Sequence, residues 1–239
     1  MNNLVVKYKH QMITEEEEKL FKEWAKDRPG FSPDGIIDEN KYLASKPKIV
    51  FIFKEVNSKK GISVNLKAFL KSPTFERKQS WDNVARWIYG INHIDEEVKW
   101  QELEDRKFLK EIRRELLPTI CVINLKKTPG RYVSDNKELQ DTAEQDKLLL
   151  NRQFQLYFDN EKSRPDIIIC GGSITAKLFS KHIKIKGLMN KKRTSRGICY
   201  QEYDNERFLI HFSHPEARIQ DSLLFYGLID AIREMKKIT

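Results

Sequence analysis

The sequence predicts an α/β protein, a three-layer α/β/α arrangement around a central, mostly parallel four-stranded sheet. Two observations carry that expectation. Four short runs, 48–53 (KIVFIF), 120–125 (ICVINL), 166–170 (DIIIC) and 208–212 (FLIHF), are nearly unbroken β-branched or aromatic stretches, the pattern of strands buried on both faces. Segments of helical period separate them, and strands alternating with helices close into a parallel sheet. No Pro/Gly/Ser-rich linker or repeat interrupts the 239 residues, so one domain is expected over 1–239, with 1–46 as a helical extension and 47–239 as the core.

Each element has its own signal. In 14–26, Leu20, Phe21 and Trp24 lie on one side of a helix, and Thr14 with Glu17 three residues later has capping-box spacing. The glutamate run reads as a solvated face and not a metal site. Pro29-Gly30 and Ser32-Pro33-Asp34-Gly35 mark a loop. Ser80 is placed to cap a helix over 81–89, with Trp81, Val84 and Ile88 as its apolar stripe. One charged amphipathic helix is expected over about 96–117, with Leu109, Ile112 and Leu116 inward and Pro118 at its end. Another is expected over 137–158. Residues 197–203 are expected to pair with 208–212 through Asp204-Asn205 as a hairpin. From Asp221 onward, Leu224, Leu228, Ile232 and Met235 have helical spacing.

The 44 Lys+Arg against 35 Asp+Glu give a net charge of +9, which suits a polyanionic partner. Cys121, Cys170 and Cys199 are odd in number and far apart, as reduced thiols of a cytoplasmic protein are. The absence of C-x-x-C and H-E-x-x-H argues for no metal and no cofactor. No apolar run approaches the roughly 20 residues of a membrane span, and the N-terminal stretch is polar, so no membrane association is expected.

Candidate chemistry gathers where strands end. The first run leads into Lys54-Glu55-Val56-Asn57-Ser58-Lys59-Lys60-Gly61, a carboxylate followed by amide, hydroxyl and ammonium groups. The second carries Asn124 near its end, an amide able to read a base edge or to cap a loop, and continues as Lys126-Lys127-Thr128-Pro129-Gly130-Arg131-Tyr132. The third runs into Gly171-Gly172-Ser173 and a helix, a glycine-flanked amino end suited to an anion, without the spacing of a Walker A loop or a dinucleotide fingerprint. The fourth leads into Ser213-His214-Pro215-Glu216-Ala217-Arg218. In a parallel sheet all four ends share one edge, where α/β proteins bind ligands. Between 181 and 196 stand seven Lys and Arg, including Lys191, Lys192 and Arg193, with no acid.

In order and composition these segments resemble the uracil-DNA glycosylase superfamily. FIFKEVN resembles that family's first strand and loop, VINLKKTPGR its strand with Asn, PDIIICGGSITA its P-x-x-I-x-x-x-G-x-x-A segment, and HPEAR its H-P-S-x-x-x-R segment. The resemblance spans about residue 48 to the C-terminus. It implies that a nucleotide is flipped out of single- or double-stranded DNA, that Glu55 positions water and stabilises an oxocarbenium-like sugar, and that His214 hydrogen-bonds the departing base. It further implies that Asn124, Asn57 and the aromatic Phe69 hold the base, and that Ser173, Arg218, Lys191, Lys192 and Arg193 hold phosphates. The expected protein is a monomer that cleaves the N-glycosidic bond of uracil or another damaged or modified base. Alternatives are a free nucleotide or nucleoside N-glycosidase, and a catalytically silent relative that binds nucleic acid or a protein. The chain departs from the family at the first motif, where G-Q-D-P-Y and its variants are replaced by Phe53-Lys54-Glu55-Val56-Asn57, and at the H-P-S serine, which is Glu216.

Overall fold

The four apolar runs become adjacent parallel strands in the structure, a computed structural model that describes residues 12–59, 61–74, 78–130 and 135–237. Chain order is α1 (Ile13–Trp24), β1 (Gly35–Ile36), α2 (Glu39–Ala44), β2 (Ile49–Phe53), α3 (Leu66–Lys71), α4 (Gln79–Asn92), α5 (Trp100–Glu104), α6 (Arg106–Leu116) and β3 (Cys121–Asn124). Then follow α7 (Asn136–Gln145), α8 (Lys147–Phe158), β4 (Ile167–Gly171), α9 (Ser173–His182), β5 (Lys192–Arg193), β6 (Cys199–Tyr203), β7 (Arg207–Phe212) and α10 (Asp221–Lys236). Lys60, Arg131 and Tyr132 of the strand-end loops lie outside the described residues.

Among the described residues the sheet has seven strands in the order β1-β3-β2-β4-β7-β6-β5, wider than the four expected. The middle block β3-β2-β4-β7 is parallel, and β1, β6 and β5 add antiparallel edges. Two edge strands, Gly35–Ile36 and the exposed Lys192–Arg193, are two residues long and leave no run to read. The β6–β7 hairpin forms as expected, its turn made by Asp204, Asn205 and Glu206, all at positive φ.

Alternating side chains of the central strands fill two cores. Phe51, Phe53, Val122, Ile169 and Ile210 pack with α4, α6 and α10, whose Leu224, Leu228, Ile232 and Met235 are buried as the spacing predicts. Val50, Ile52, Cys121, Ile168, Cys170 and Leu209 pack on the other face with α1, α8 and α9. No helix among the described residues is long and apolar enough to cross a membrane.

Local corrections have local causes. The Thr14–Glu17 capping box does not form, because Glu39 from α2 takes the amides of Ile13 and Thr14 and the Thr14 hydroxyl. Glu17 is consequently turned inward and is fully buried, not part of a solvated face. The 96–117 segment is broken into α5 and α6 at Asp105, whose carboxylate caps the Phe108 amide. The 137–158 helix is broken at Asp146, drawn into a buried ion pair with Arg28. Ser80 lies inside α4 and hydrogen-bonds Glu216, and the cap of α9 is Gly172.

Candidate functional site

Parallel pairing of β3, β2, β4 and β7 brings their carboxyl ends to one edge of the sheet, and two side-chain clusters form there, on opposite faces. The pairing continues past β2 and β3: Leu125 N–H donates to Phe53 O, Lys126 N–H to Lys54 O, and Gly130 N–H to Val56 O. Asn57 is bridged to Gly130 at the end of this extension and is exposed.

Within the extension Glu55 is fixed. Lys126 Nζ donates to its Oε2 at 2.7 Å, and both side chains are nearly out of water, 4% and 6% exposed. Lys126 also reaches Glu138 at 3.0 Å. Burial opposes the Lys126 charge, but hydrogen bonds to the two glutamates outweigh it and hold the ammonium above the usual lysine range. Gly130 backs the carboxylate so closely that any side chain there would overlap it.

Asn124 is a register neighbour of Phe53 and shares its face of the sheet. Its backbone N–H donates to Asp34 Oδ2 at 2.7 Å, while its side-chain Nδ2 is buried without a hydrogen-bond partner. Asp34 in turn takes Lys127 Nζ on both oxygens at 2.7 Å and Gln153 Nε2 at 2.9 Å, so a buried polar network seats the end of β3. Phe53 lies over Gly171, where a Cβ would come 2.5 Å from its ring, and meets Trp81 and His214 edge-on with centroids 6.1 and 5.7 Å away. Phe69, on α3, is packed against this core with the Lys78 ammonium 5.3 Å from its ring centre.

His214 joins the two clusters. The Glu216 N–H donates to His214 Nδ1 at 3.1 Å, so the neutral ring carries its proton on Nε2. Burial and Lys54 push the imidazole below the usual histidine range, against the opposing pull of Glu216, so the neutral form dominates at pH 7. The loop is held from α4: Asn83 Nδ2 donates to Pro215 O and to Asp221 Oδ1, both at 2.8 Å, and Arg86 donates to Asn83 Oδ1. Asn83 is a residue that sequence reasoning missed, since a single Asn in an amphipathic helix carries no signal of the loop it will meet.

On the α9 face His214 lines a cavity of about 750 Å³ together with Ser173, Lys177, Lys191, Arg193 and His211. Of the residues expected at the site, this cavity gathers Ser173, Lys191, Arg193 and His214. Glu55, Asn57, Asn124, Phe69, Lys192 and Arg218 do not line it. Lys192 is paired with Glu202 and Arg218 is exposed. Other members of the basic stretch are also matched, Lys181 by Glu144 and Arg196 by Asp230. Sequence adjacency showed a run of cations without acids, and folding supplies the acids from other elements. Among the described residues no group of three or more His, Cys, Asp or Glu is arranged to hold a metal ion. The search of protein-family models found no match, and no curated protein matches the chain.

Proposed function

We propose that this chain is a uracil-DNA glycosylase-like hydrolase that cleaves the N-glycosidic bond of a base in a phosphate-bearing nucleoside. The observation that carries the reading is His214, whose Nδ1 accepts from the Glu216 N–H and leaves Nε2 to donate, lining one cavity with Ser173, Lys191 and Arg193. The parallel block β3-β2-β4-β7 supports it: in chain order its strands lie second, first, third, fourth, with the motif residues at their carboxyl ends.

In this reading the C1′–N bond breaks with its electron pair going to the base. The Nε2–H of His214 donates to the base oxygen on which the negative charge grows, a contribution of about 3–4 kcal/mol for one such donor in an enclosed site. Glu55 is the carboxylate that this reading assigns to the sugar cation and to the water that adds to C1′, and reaching them requires it to leave its ion pair with Lys126. Lys177, Lys191 and Arg193 hold phosphate, so affinity falls with salt.

A second reading, the catalytically silent binder, is favoured by Phe53. Its ring stands between Asn124 and His214 on the sheet face where a base would lie, and Glu55 is turned to Lys126. One experiment separates the two: labelled oligonucleotides and nucleotides containing uracil, hypoxanthine or xanthine are incubated with the protein, and free base and abasic product are measured. Base release by the wild type, lost in Glu55→Gln and His214→Ala, supports the hydrolase. Salt-sensitive retention of nucleic acid with no release on any substrate supports the binder.

A further inference from the structure

The last residue of β2 is an aromatic set among polar neighbours. Asn124 of β3 is the register partner of Phe53, and on the other side Gly171 of β4 pairs with Phe212 of β7. Gly171 has no side chain, and the Phe53 ring leans over it so closely that a Cβ at 171 would come 2.5 Å from the ring. The ring therefore rests directly on sheet backbone.

What surrounds that ring suits a planar group. Phe51, two residues earlier on the same face, stacks against it at 15° with centroids 5.9 Å apart, and Trp81 and His214 stand at steep angles of 82° and 63°. Beside it Asn124 is 3% exposed, and its Nδ2 is buried with no hydrogen-bond partner. A buried amide nitrogen left this way costs free energy that a neighbouring acceptor would remove. The hydrocarbon ring of Phe53 offers no acceptor, whereas a heterocycle bearing a carbonyl does.

We propose that Phe53 is a self-occluding gate: its ring fills the compartment that a flipped pyrimidine takes, and it must swing aside for the base to enter. The proposal rests on the function proposed above and adds the regulation and base class of that site. A phenyl and a pyrimidine ring match in size and planarity, so the space left by one accepts the other, stacked on Phe51 with Asn124 donating to a ring carbonyl. A two-ring purine is too large for it. Phe53 is 6% exposed and Phe51 is 0% exposed, so the gate is the ring nearer the surface. While it is closed, apparent affinity for a base is reduced by the fraction of molecules that are open. The ring that favours the silent reading is then the closed state of a site that opens.

The test is calorimetric binding of free uracil to the full chain. Phe53→Ala is expected to bind it at least tenfold more tightly than the wild type, because the closed fraction is gone. Phe53→Leu removes the ring with a smaller loss of packing and is expected to shift affinity in the same direction, with thermal unfolding as the check on folding. In the wild type itself, uracil is expected to move the Phe53 ring resonances, a readout that needs no variant. Benzene and hypoxanthine are the control probes. A hole merely left by a core side chain takes benzene and rejects uracil, and that result overturns the proposal. Equal uracil affinity in the wild type and both variants, or hypoxanthine bound as tightly as uracil, also overturns it. Adding Asn124→Ala to Phe53→Ala is expected to weaken uracil at least tenfold and leave benzene unchanged; unaltered uracil binding there overturns the compartment. Base release from uracil-containing oligonucleotides and nucleotides separates the gate from the hydrolase. Release by the wild type with no gain of uracil binding in the variants leaves the hydrolase standing and removes the gate. Tighter uracil binding in the variants without release from any substrate does the reverse.

Discussion

Glu55 and Lys126, 71 residues apart, meet beyond the ends of β2 and β3 in a 2.7 Å hydrogen bond that is almost sealed from water. Lys126 also holds Glu138, whereas Glu55 has no second cation among the described residues. Removing one member leaves the other desolvated, and breaking such pairs costs about 3–5 kcal/mol. Lys126→Met is therefore expected to destabilise the protein by about that much, since Glu138, the other partner of Lys126, is itself a carboxylate and cannot neutralise Glu55. Glu55→Gln is expected to cost less, because its amide oxygen still accepts from Lys126. Urea unfolding of the two variants and of the double variant measures the coupling.

Asn83 makes a parallel prediction for the His214 loop. Its amide joins the Pro215 carbonyl to Asp221 in a place with 1% exposure, and Arg86 holds its other end. Asn83→Ala strips donors from a buried carbonyl and a carboxylate, a loss of about 1–3 kcal/mol. The loop carrying His214 is expected to exchange its amides faster than in the wild type, read by hydrogen exchange at residues 213–218.

These two contacts show what the sequence carries and what it does not. The buried strands, the β6–β7 hairpin and α10 follow from patterns contained within a dozen residues, because periodicity is a local consequence of a buried face. The strand-end motifs were legible for the same reason. The partners of those motifs were not: Lys126 for Glu55, Asn83 for Pro215 and Glu39 for the start of α1 come from distant segments and depend on the finished topology. Ser80 and Thr14 look like caps locally, and tertiary partners draw their hydroxyls elsewhere. His211 was passed over as one polar residue inside an apolar run. Its place on the α9 face follows only from the sheet register.

Glu17 sets a pH dependence. It is fully buried, accepts from Lys67 at 2.8 Å and from Tyr157, and has Gln153 and Asp34 nearby, with Lys127 on Asp34. Burial pushes its carboxyl up from 4.5 to about 7, against the pull of Lys67. A raised folded value means that the native state holds the proton more tightly than the unfolded chain. Stability from this group is full below pH 4.5 and is lost as pH rises toward 7, by about 3 kcal/mol in all. His182, His211 and His214, all pushed below 6.5 chiefly by burial, act oppositely, costing stability as pH falls through 6.5. Glu17→Gln is therefore expected to be relatively more stable at pH 8 than at pH 4.5, compared with the wild type. Thermal or urea unfolding across that range checks the sign.

Phe53 packs edge-on against His214 on the α4 face. The family resembled by the strand-end motifs has glycine at this place, whereas here a ring covers Gly171 and stacks edge-on against the imidazole. Phe53→Ala removes a side chain that is 6% exposed and also packed on Phe51 and Trp81. The expected loss is about 3–5 kcal/mol, as for other large-to-small core changes. Because burial is the first cause of the lowered His214 value, water entering the vacated space should move that value back up toward 6.5. An NMR titration of the His214 ring in the two proteins measures the change. An unchanged midpoint in a folded variant would mean that the protein surrounding the other side of the ring, and not Phe53, keeps the imidazole neutral.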